Sequence, residues 1–340
     1  MQRRGITVLV GAALVVLLFL GIQGAPVPYV TLGPGPTVDT LGTADGHPVI
    51  EVDGAPTSTS AGQLRLVTVS VLSELTVLDA VRGWLSPREA VVPRELIYPP
   101  DQTQQEVDQQ NAQDFKNSQT SAETSALREL GYPVHVTVSS VADNAPATGK
   151  LAVGDEITSV DGQPVTSGQK LQELIRAKPA GTTLAIGYVR AGATGTAQIT
   201  TVESDGNPRI GVGIENKQPH PFTVKIDLDK IGGPSAGLMF ALGIVDKLDP
   251  ADLTGGILIA GTGTIDDDGD VGPIGGIPQK LVAAKAANAK FFLTPDTNCA
   301  EALANAQPGL PLVKVTSLDN ALAALSTLRS GGQPTLCSAT

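Results

Sequence analysis

The chain has 340 residues, including 38 Gly and 25 Pro, with 3% aromatic residues and a formal net charge of −11. That length allows two or three domains with cores of their own, and 41% hydrophobic with 17% charged residues excludes wholesale disorder and collagen-like repetition. The acidic balance argues against a nucleic-acid partner, because phosphate binding needs a basic face. Three histidines and two cysteines leave no tract suited to a metal.

At the N-terminus, Arg3 and Arg4 precede an apolar run at residues 6–22. As a helix that run spans roughly 26 Å, close to the hydrocarbon thickness of a bilayer. The flanking Gln23–Pro28 stretch offers a poor small-x-small cleavage site, so residues 1–25 read as a signal-anchor rather than a cleaved signal peptide. The positive-inside rule then keeps the arginines cytoplasmic and the bulk of the chain outside the cell membrane. Residues 26–60, rich in Pro, Gly, Thr and Asp, read as a membrane-proximal lead-in without chemistry. Cys299 and Cys337 both fall in the exported part and read as one disulfide tying the tail, residues 331–340, to the last domain.

Residues 63–75 alternate in hydrophobicity and are β-branched, which predicts a strand. Residues 103–130 contain neither Gly nor Pro and predict a helix, with Gly131 as its stop. Val134–Val138 alternates as a strand. Then come Leu151-Ala152-Val153-Gly154-Asp155-Glu156-Ile157, Val160-Asp161-Gly162 and Val165, a short helix around Leu171, Leu174 and Ile175, and a strand from Thr183 to Arg190. Residues 131–200 thereby resemble a PDZ domain of the bacterial protease-associated type, through Leu-x-x-Gly-Asp-x-Ile-x-x-Val-Asp-Gly-x-x-Val and the later Pro-x-Gly-x-x-Leu. The resemblance implies capture of an extended peptide as an added strand beside a helix. It places the carboxylate loop at residues 130–133, with Gly131, Tyr132 and Val134 as candidate contacts, although Pro133 removes one N–H from that loop.

Further on, Gly232-Gly233-Pro234-Ser235-Ala236-Gly237 leads into an apolar helix reaching roughly to Leu248. Ser235 there lies at a helix N-terminus, where free N–H groups stabilise a developing oxyanion, and Gly233 and Ala236 are candidates for contact with the oxyanion or with the substrate backbone. Alone, such a turn reads equally as an N-cap serine. It also fits the Gly-x-Ser-x-Gly elbow of α/β-hydrolases, but that fold places its histidine after the serine. Here His47, His135 and His220 all precede Ser235, so an imidazole base is poorly supported and a buried lysine becomes the alternative. Lys280 and Lys285 both lie in a downstream helix, and physics alone does not choose between them. The acidic run Asp266–Asp270 reads as a hairpin turn, since it lacks the spaced ligands and terminal Glu of a calcium loop.

Gly-Pro-Ser-Ala-Gly, then Thr262-Gly263-x-Ile265, then Gly-x-Val-x-Pro-Ile-Gly-Gly-x-x-x-Lys280 together resemble the proteolytic domain of the Lon peptidase family. The helix Phe115-Lys116-Asn117-Ser118 to Ala126 is similar to the Lys-Glu-Ser-x-x-x-Ala helix of that family. The resemblance implies Ser235 as nucleophile, Lys280 as general base and Thr262 as the residue orienting the lysine. It implies an α+β fold in which residues 61–130 and 201–330 form one split protease domain around the inserted PDZ-like domain. Gly232 stands where that family often carries an acidic residue, and no Gly-x-x-x-x-Gly-Lys-[Ser/Thr] phosphate loop occurs. The whole resembles a bacterial family of membrane-anchored, PDZ-containing Lon-like proteases without an ATPase domain. The implied protein is an ATP-independent serine endopeptidase of the cell envelope acting on unfolded or extended proteins, with no cofactor and no metal. A homo-oligomeric ring and a monomer both remain open. The alternative is a non-catalytic envelope adaptor that binds client tails through its PDZ-like domain.

Overall fold

The structure is a computed structural model that describes residues 10–14, 21, 25–228 and 232–338. The apolar run at 6–22 falls mostly outside these, and among the described residues no helix is long and apolar enough to cross a membrane. The chain proceeds through β1 (Tyr29–Asp39), β2 (Ile50–Asp53), β3 (Gln63–Leu72), α1 (Val77–Leu85), β4 (Ala90–Pro93) and α2 (Gln104–Glu129). It continues with β5 (His135–Val141), β6 (Glu156–Val160), α3 (Gly168–Arg176), β7 (Thr183–Arg190), β8 (Ala193–Thr200) and β9 (Val212–Lys217). The remainder is β10 (Thr223–Ile226), α4 (Gly237–Leu248), β11 (Leu258–Gly261), β12 (Thr264–Ile265), β13 (Val271–Gly272), α5 (Ile277–Ala286), β14 (Phe291–Pro295), α6 (Cys299–Ala304), β15 (Leu312–Val315) and α7 (Leu318–Arg329).

One six-stranded sheet runs in the order β15-β14-β11-β3-β1-β4. It is mixed: β3, β11, β14 and β15 are parallel, while β1 is antiparallel to both β3 and β4. The parallel half is wound through α5 and α6, which gives this part α/β character within a fold expected as α+β. Helix α4 is buried at every position from Gly237 to Asp246, as an element apolar all round must be. It packs with α2 on one face of the sheet, where Phe115 meets Phe240 edge-on at 5.7 Å. On the other face Val67, Ile277, Leu281 and Phe292 form a second core.

The stretch expected to be a chemistry-free lead-in is corrected here. Its strand β1 lies inside the six-stranded sheet, paired on one side with β3 and on the other with β4, and Val30 on it is fully buried. The predicted strand at 63–75 ends at Leu72, since Thr76 then caps α1 through a reciprocal capping box with Asp79. Helix α2 matches the Gly- and Pro-free stretch, with Thr103 and Glu106 forming its capping box and Gly131 following at φ +89°.

The second sheet, in the order β8-β7-β6-β5-β9, encloses a separate core of Val136, Val138, Ile157, Leu171, Leu184, Ile186, Ile199 and Ile210. It does not stop at residue 200. Strand β9 returns antiparallel to β5 over Val212–Lys217, and Ile210 is 3% exposed within the core.

The acidic run forms the turn between β12 and β13, and its side chains join the two sheets. Arg128 donates to the Asp268 carboxylate at 2.7 and 2.8 Å, and Thr166 and Ser167 at the start of α3 donate to the same group. Asp267 accepts from Ser121 at 2.8 Å and from Asn216 on β9 at 2.9 Å. Charge-assisted bonds of this kind contribute more than neutral ones. Asp268→Ala should therefore speed amide exchange at residues 166–170 by about tenfold or more, equivalent to about 1.4 kcal/mol, and leave α4 unchanged. Unchanged exchange in α3 contradicts this role.

Cys299, at the start of α6, is bonded to Cys337 across a Cα–Cα distance of 5.3 Å and a separation of 38 residues. On the chain-entropy account, closing that loop contributes about 4 kcal/mol. Reduction should lower the denaturant midpoint correspondingly, and mass spectrometry without reductant should find no free thiol.

Candidate active site

Ser235 sits in a turn directly before α4, and the cap position is taken by Ala236, which makes no side-chain cap bond. The reading of Ser235 as an N-cap therefore does not apply. Nor does the hydrolase elbow: the strand preceding it, β10, pairs with β2 outside the six-stranded sheet. Helix α2 holds the turn at two points. The Gly233 N–H donates to the Asn111 carbonyl at 2.9 Å, and the Ser118 hydroxyl donates to the Pro234 carbonyl at 2.9 Å.

This arrangement corrects the oxyanion assignment. Gly233 has its N–H committed to α2, and its φ of +84° shows that it is needed for the turn. Among the described residues, the N–H groups of Ser235 and Ala236 have no partner. They are the donors available to an oxyanion, with the N-terminal end of the α4 dipole behind them.

Lys280 enters from the first turn of α5. Gly276, in the left-handed region at φ +72°, and Pro278 set the entry of that helix. Lys280 is 3% exposed, whereas Lys285 is exposed on a later turn, so the structure brings only the former to the site. Burial lowers the Lys280 pKa from the usual 10.5 to about 8, opposed by the charge of Glu301. Its Nζ donates to Thr262 Oγ1 at 3.1 Å, and that hydroxyl donates to the Ser235 carbonyl at 2.9 Å. The second bond uses the only proton of Thr262, so Thr262 can only accept from the lysine. A neutral lysine has two protons and one lone pair, and the lone pair stays free for a hydroxyl proton. Residue 263 fixes the same carbonyl through its N–H at 3.0 Å. None of the three histidines lines this cleft: His135 faces Glu156, and His220 bonds the Gln218 carbonyl.

The cleft, about 640 Å³, has Ser235, Ala236 and Lys280 at its floor. One wall is β3 from Val67 to Val71, and the other is Pro273–Gly276. Strand β11 stops pairing with β3 at Leu66, so among the described residues no strand covers the β3 edge beyond it on that side. The opposite wall is fixed by Asn298, whose amide accepts from the Ile274 N–H at 3.0 Å and donates to its carbonyl at 2.9 Å. The β3 edge and Asn298 were both missed by the sequence reading. The alternation at 63–75 pointed to a strand but not to its open edge.

The second sheet has a groove of its own, about 450 Å³, between α3 and the edge strand β9. Leu171, Ile175, Ile210, Val212 and Ile214 line it, and Gly211 turns into β9 at φ +77°. The loop chosen from sequence is elsewhere. Gly131 closes α2 by donating to the Arg128 carbonyl, Tyr132 packs edge-on against Phe222 at 5.5 Å, and Val134 packs on the core of the second sheet. None of the three lines the groove, because the strand beside α3 is β9, not the strand that follows residue 133.

Residues 228–326 match the family of the Lon protease (S16) C-terminal proteolytic domain. The chain carries a Lon-type proteolytic domain. Residues 107–201 match the PDZ domain family. A Lon protease from Koribacter versatilis is 33% identical over 104 residues, which is 30% of this chain and 12% of that relative, so the chain spans about an eighth of its length. The PDZ domain of an SdrC-like protein from Listeria monocytogenes is 34% identical over 24% of this chain and 86% of its own, with a TM-score of 0.23. Its counterpart from Listeria innocua is 34% identical over 26% and 98%, also at 0.23.

In the Lon-type domain, Thr262 is fully buried and touches both ends of the Ser–Lys pair through one oxygen. Thr262→Val keeps the shape and removes the acceptor. It should lower kcat by about 10²-fold, within the range of a misplaced general base, with KM little changed. Thr262→Ser should restore most of the rate, and equal damage from both substitutions would point to packing instead.

Proposed function

We propose that this chain is an ATP-independent serine endopeptidase of the cell envelope, held at the outer face of the cell membrane by residues 6–22. The observation that carries the catalytic reading is the Lys280–Thr262–Ser235 chain of bonds, ending on a lysine that burial brings to about pH 8. Neutral Lys280 takes the Ser235 proton as the hydroxyl attacks a peptide carbonyl. The Ser235 and Ala236 N–H groups receive the oxyanion. Lys280 returns the proton to the leaving amine, and water then releases the acyl group by the reverse use of the same base.

An extended substrate fits the open edge of β3, where it adds as a strand opposite Pro273–Gly276. This favours unfolded or loosely structured polypeptides. The PDZ domain offers a second strand-adding edge at β9, beside α3, for presenting such chains. Independence from ATP is supported by the absence of a phosphate loop in these 340 residues. The envelope location is supported by the apolar run behind Arg3 and Arg4 and by the pairing of Cys299 with Cys337. The adaptor alternative is disfavoured by the intact geometry around Ser235. The test is digestion of an unfolded protein by the full chain in detergent without nucleotide. Cleavage that depends on Ser235 supports the proposal, and cleavage only on addition of ATP contradicts it.

A further inference from the structure

Helix α1 is amphipathic the wrong way round for a soluble surface. It buries only Ala80 and Gly83, while Val81, Trp84 and Leu85 are 41%, 59% and 81% exposed. The small face is there for close approach: a Cβ on Gly83 would lie 2.5 Å from Val91 Cγ2 and 3.4 Å from Thr31 Oγ1. Leu72, 56% exposed, is the cross-strand partner of that same Thr31 and so projects from the same face of the sheet. Trp84 is held by an edge-on contact with Tyr29 at 5.8 Å rather than by a covering layer.

Two further observations say what covers this face. First, the chain leaving the apolar run docks on the start of α1: Val77 N–H donates to the Ala25 carbonyl at 3.2 Å, and Val27 N–H to the Leu75 carbonyl at 3.0 Å. Ala25 is three residues beyond Ile22, a reach of at most about 10 Å. Second, the stretch is not acidic like the rest of the chain: residues 79–89 pair Arg82 and Arg88 with Asp79 and Glu89, a net charge of zero where the chain carries −11. An exposed helix bearing Trp and Leu with arginine beside them matches the headgroup boundary of a bilayer.

We infer that the outer face of α1, with Val81, Trp84, Leu85 and Leu72, seats on the surface of the membrane that holds the chain. The inference rests on the anchoring proposed above. Its test uses the fact that Trp84 is the sole tryptophan of the sequence. The full chain is reconstituted in phosphatidylcholine–phosphatidylglycerol vesicles, with or without bromine near the headgroup end of the acyl chains, and flotation and tryptophan emission are read together. The expected result is flotation, with bromine removing about half of the Trp84 emission, as a depth at the headgroup–acyl boundary requires. The double substitution Arg82→Glu with Arg88→Glu should weaken that quenching while the protein still floats.

Flotation with Trp84 open to aqueous iodide and insensitive to bromine overturns this inference and leaves the anchor standing. Shielding from iodide without bromine quenching, lost as the protein is diluted in lipid, assigns the face to a second copy and also overturns it. Failure to float overturns the anchor and the seating together.

Discussion

Ser235→Ala should abolish hydrolysis of an unfolded protein substrate, lowering kcat by about 10⁴-fold or more, the scale on which loss of a serine nucleophile acts in a cooperating site. The size follows from the chemistry. Without the hydroxyl there is no acyl-enzyme, and Lys280 has no serine proton to take. Folding should be untouched, because Ser235 is half-buried in a turn and the cap position belongs to Ala236. The bonds that hold the turn come from Gly233 and Pro234 to α2, together with the Ser235 carbonyl, and alanine keeps all of them. The denaturant midpoint should correspond to a change within about 0.5 kcal/mol. Retained cleavage by a correctly folded Ser235→Ala protein contradicts the assignment.

Lys280→Met carries the second large effect, and it separates activity from stability. Activity should fall to a similar floor, since among the described residues Lys280 is the only base that lines the cleft. In the parent protein kcat/KM should rise about tenfold per pH unit below pH 8 and level off above it, as neutral lysine becomes the main species. Stability should move the other way. Lys280 titrates at about 8 when folded and near 10.5 when unfolded, so between these values the unfolded chain binds more protons. Stability therefore rises with pH across that window, and below pH 8 the buried charge costs its full penalty, about 3 kcal/mol at 1.4 kcal/mol per unit. Removing it with an apolar side chain of similar length should stabilise the protein at pH 7 by up to that amount. The gain should shrink above pH 8 and vanish near 10.5. A gain independent of pH would mean that Lys280 is not buried in its charged form.

The chemistry was far more legible in the sequence than the architecture around it. Ser235, Thr262 and Lys280 fall in short motifs because each must sit at a particular place relative to a turn: before α4, at the end of β11, and in the first turn of α5. Such local requirements leave local patterns of Gly, Pro and small residues. Strand partnership leaves much less. Nothing within residues 29–39 marks β1 as the neighbour of both β3 and β4, and the segment reads as a linker because its prolines and glycines mask the apolar alternation. The last strand of the second sheet was hidden for the same reason. Strand β9 returns to β5 after an intervening hairpin, so the pattern pauses at residue 200 while the groove strand is still to come. The alternation Ile210, Val212, Ile214 was there to be read, but its partner lies some 75 residues earlier in the chain. Gly233 shows a third kind of limit: its N–H looks available until α2 folds back and takes it.

The most direct test of the account is covalent trapping of the nucleophile. The full chain is treated with an electrophilic β-lactone at pH 6 and pH 8.5, and the acylated residue is mapped by peptide mass spectrometry. One adduct is expected, on Ser235, formed faster at pH 8.5 and absent from Lys280→Met. An adduct on any other residue, or labelling of Ser235 that is equally fast without Lys280, contradicts it.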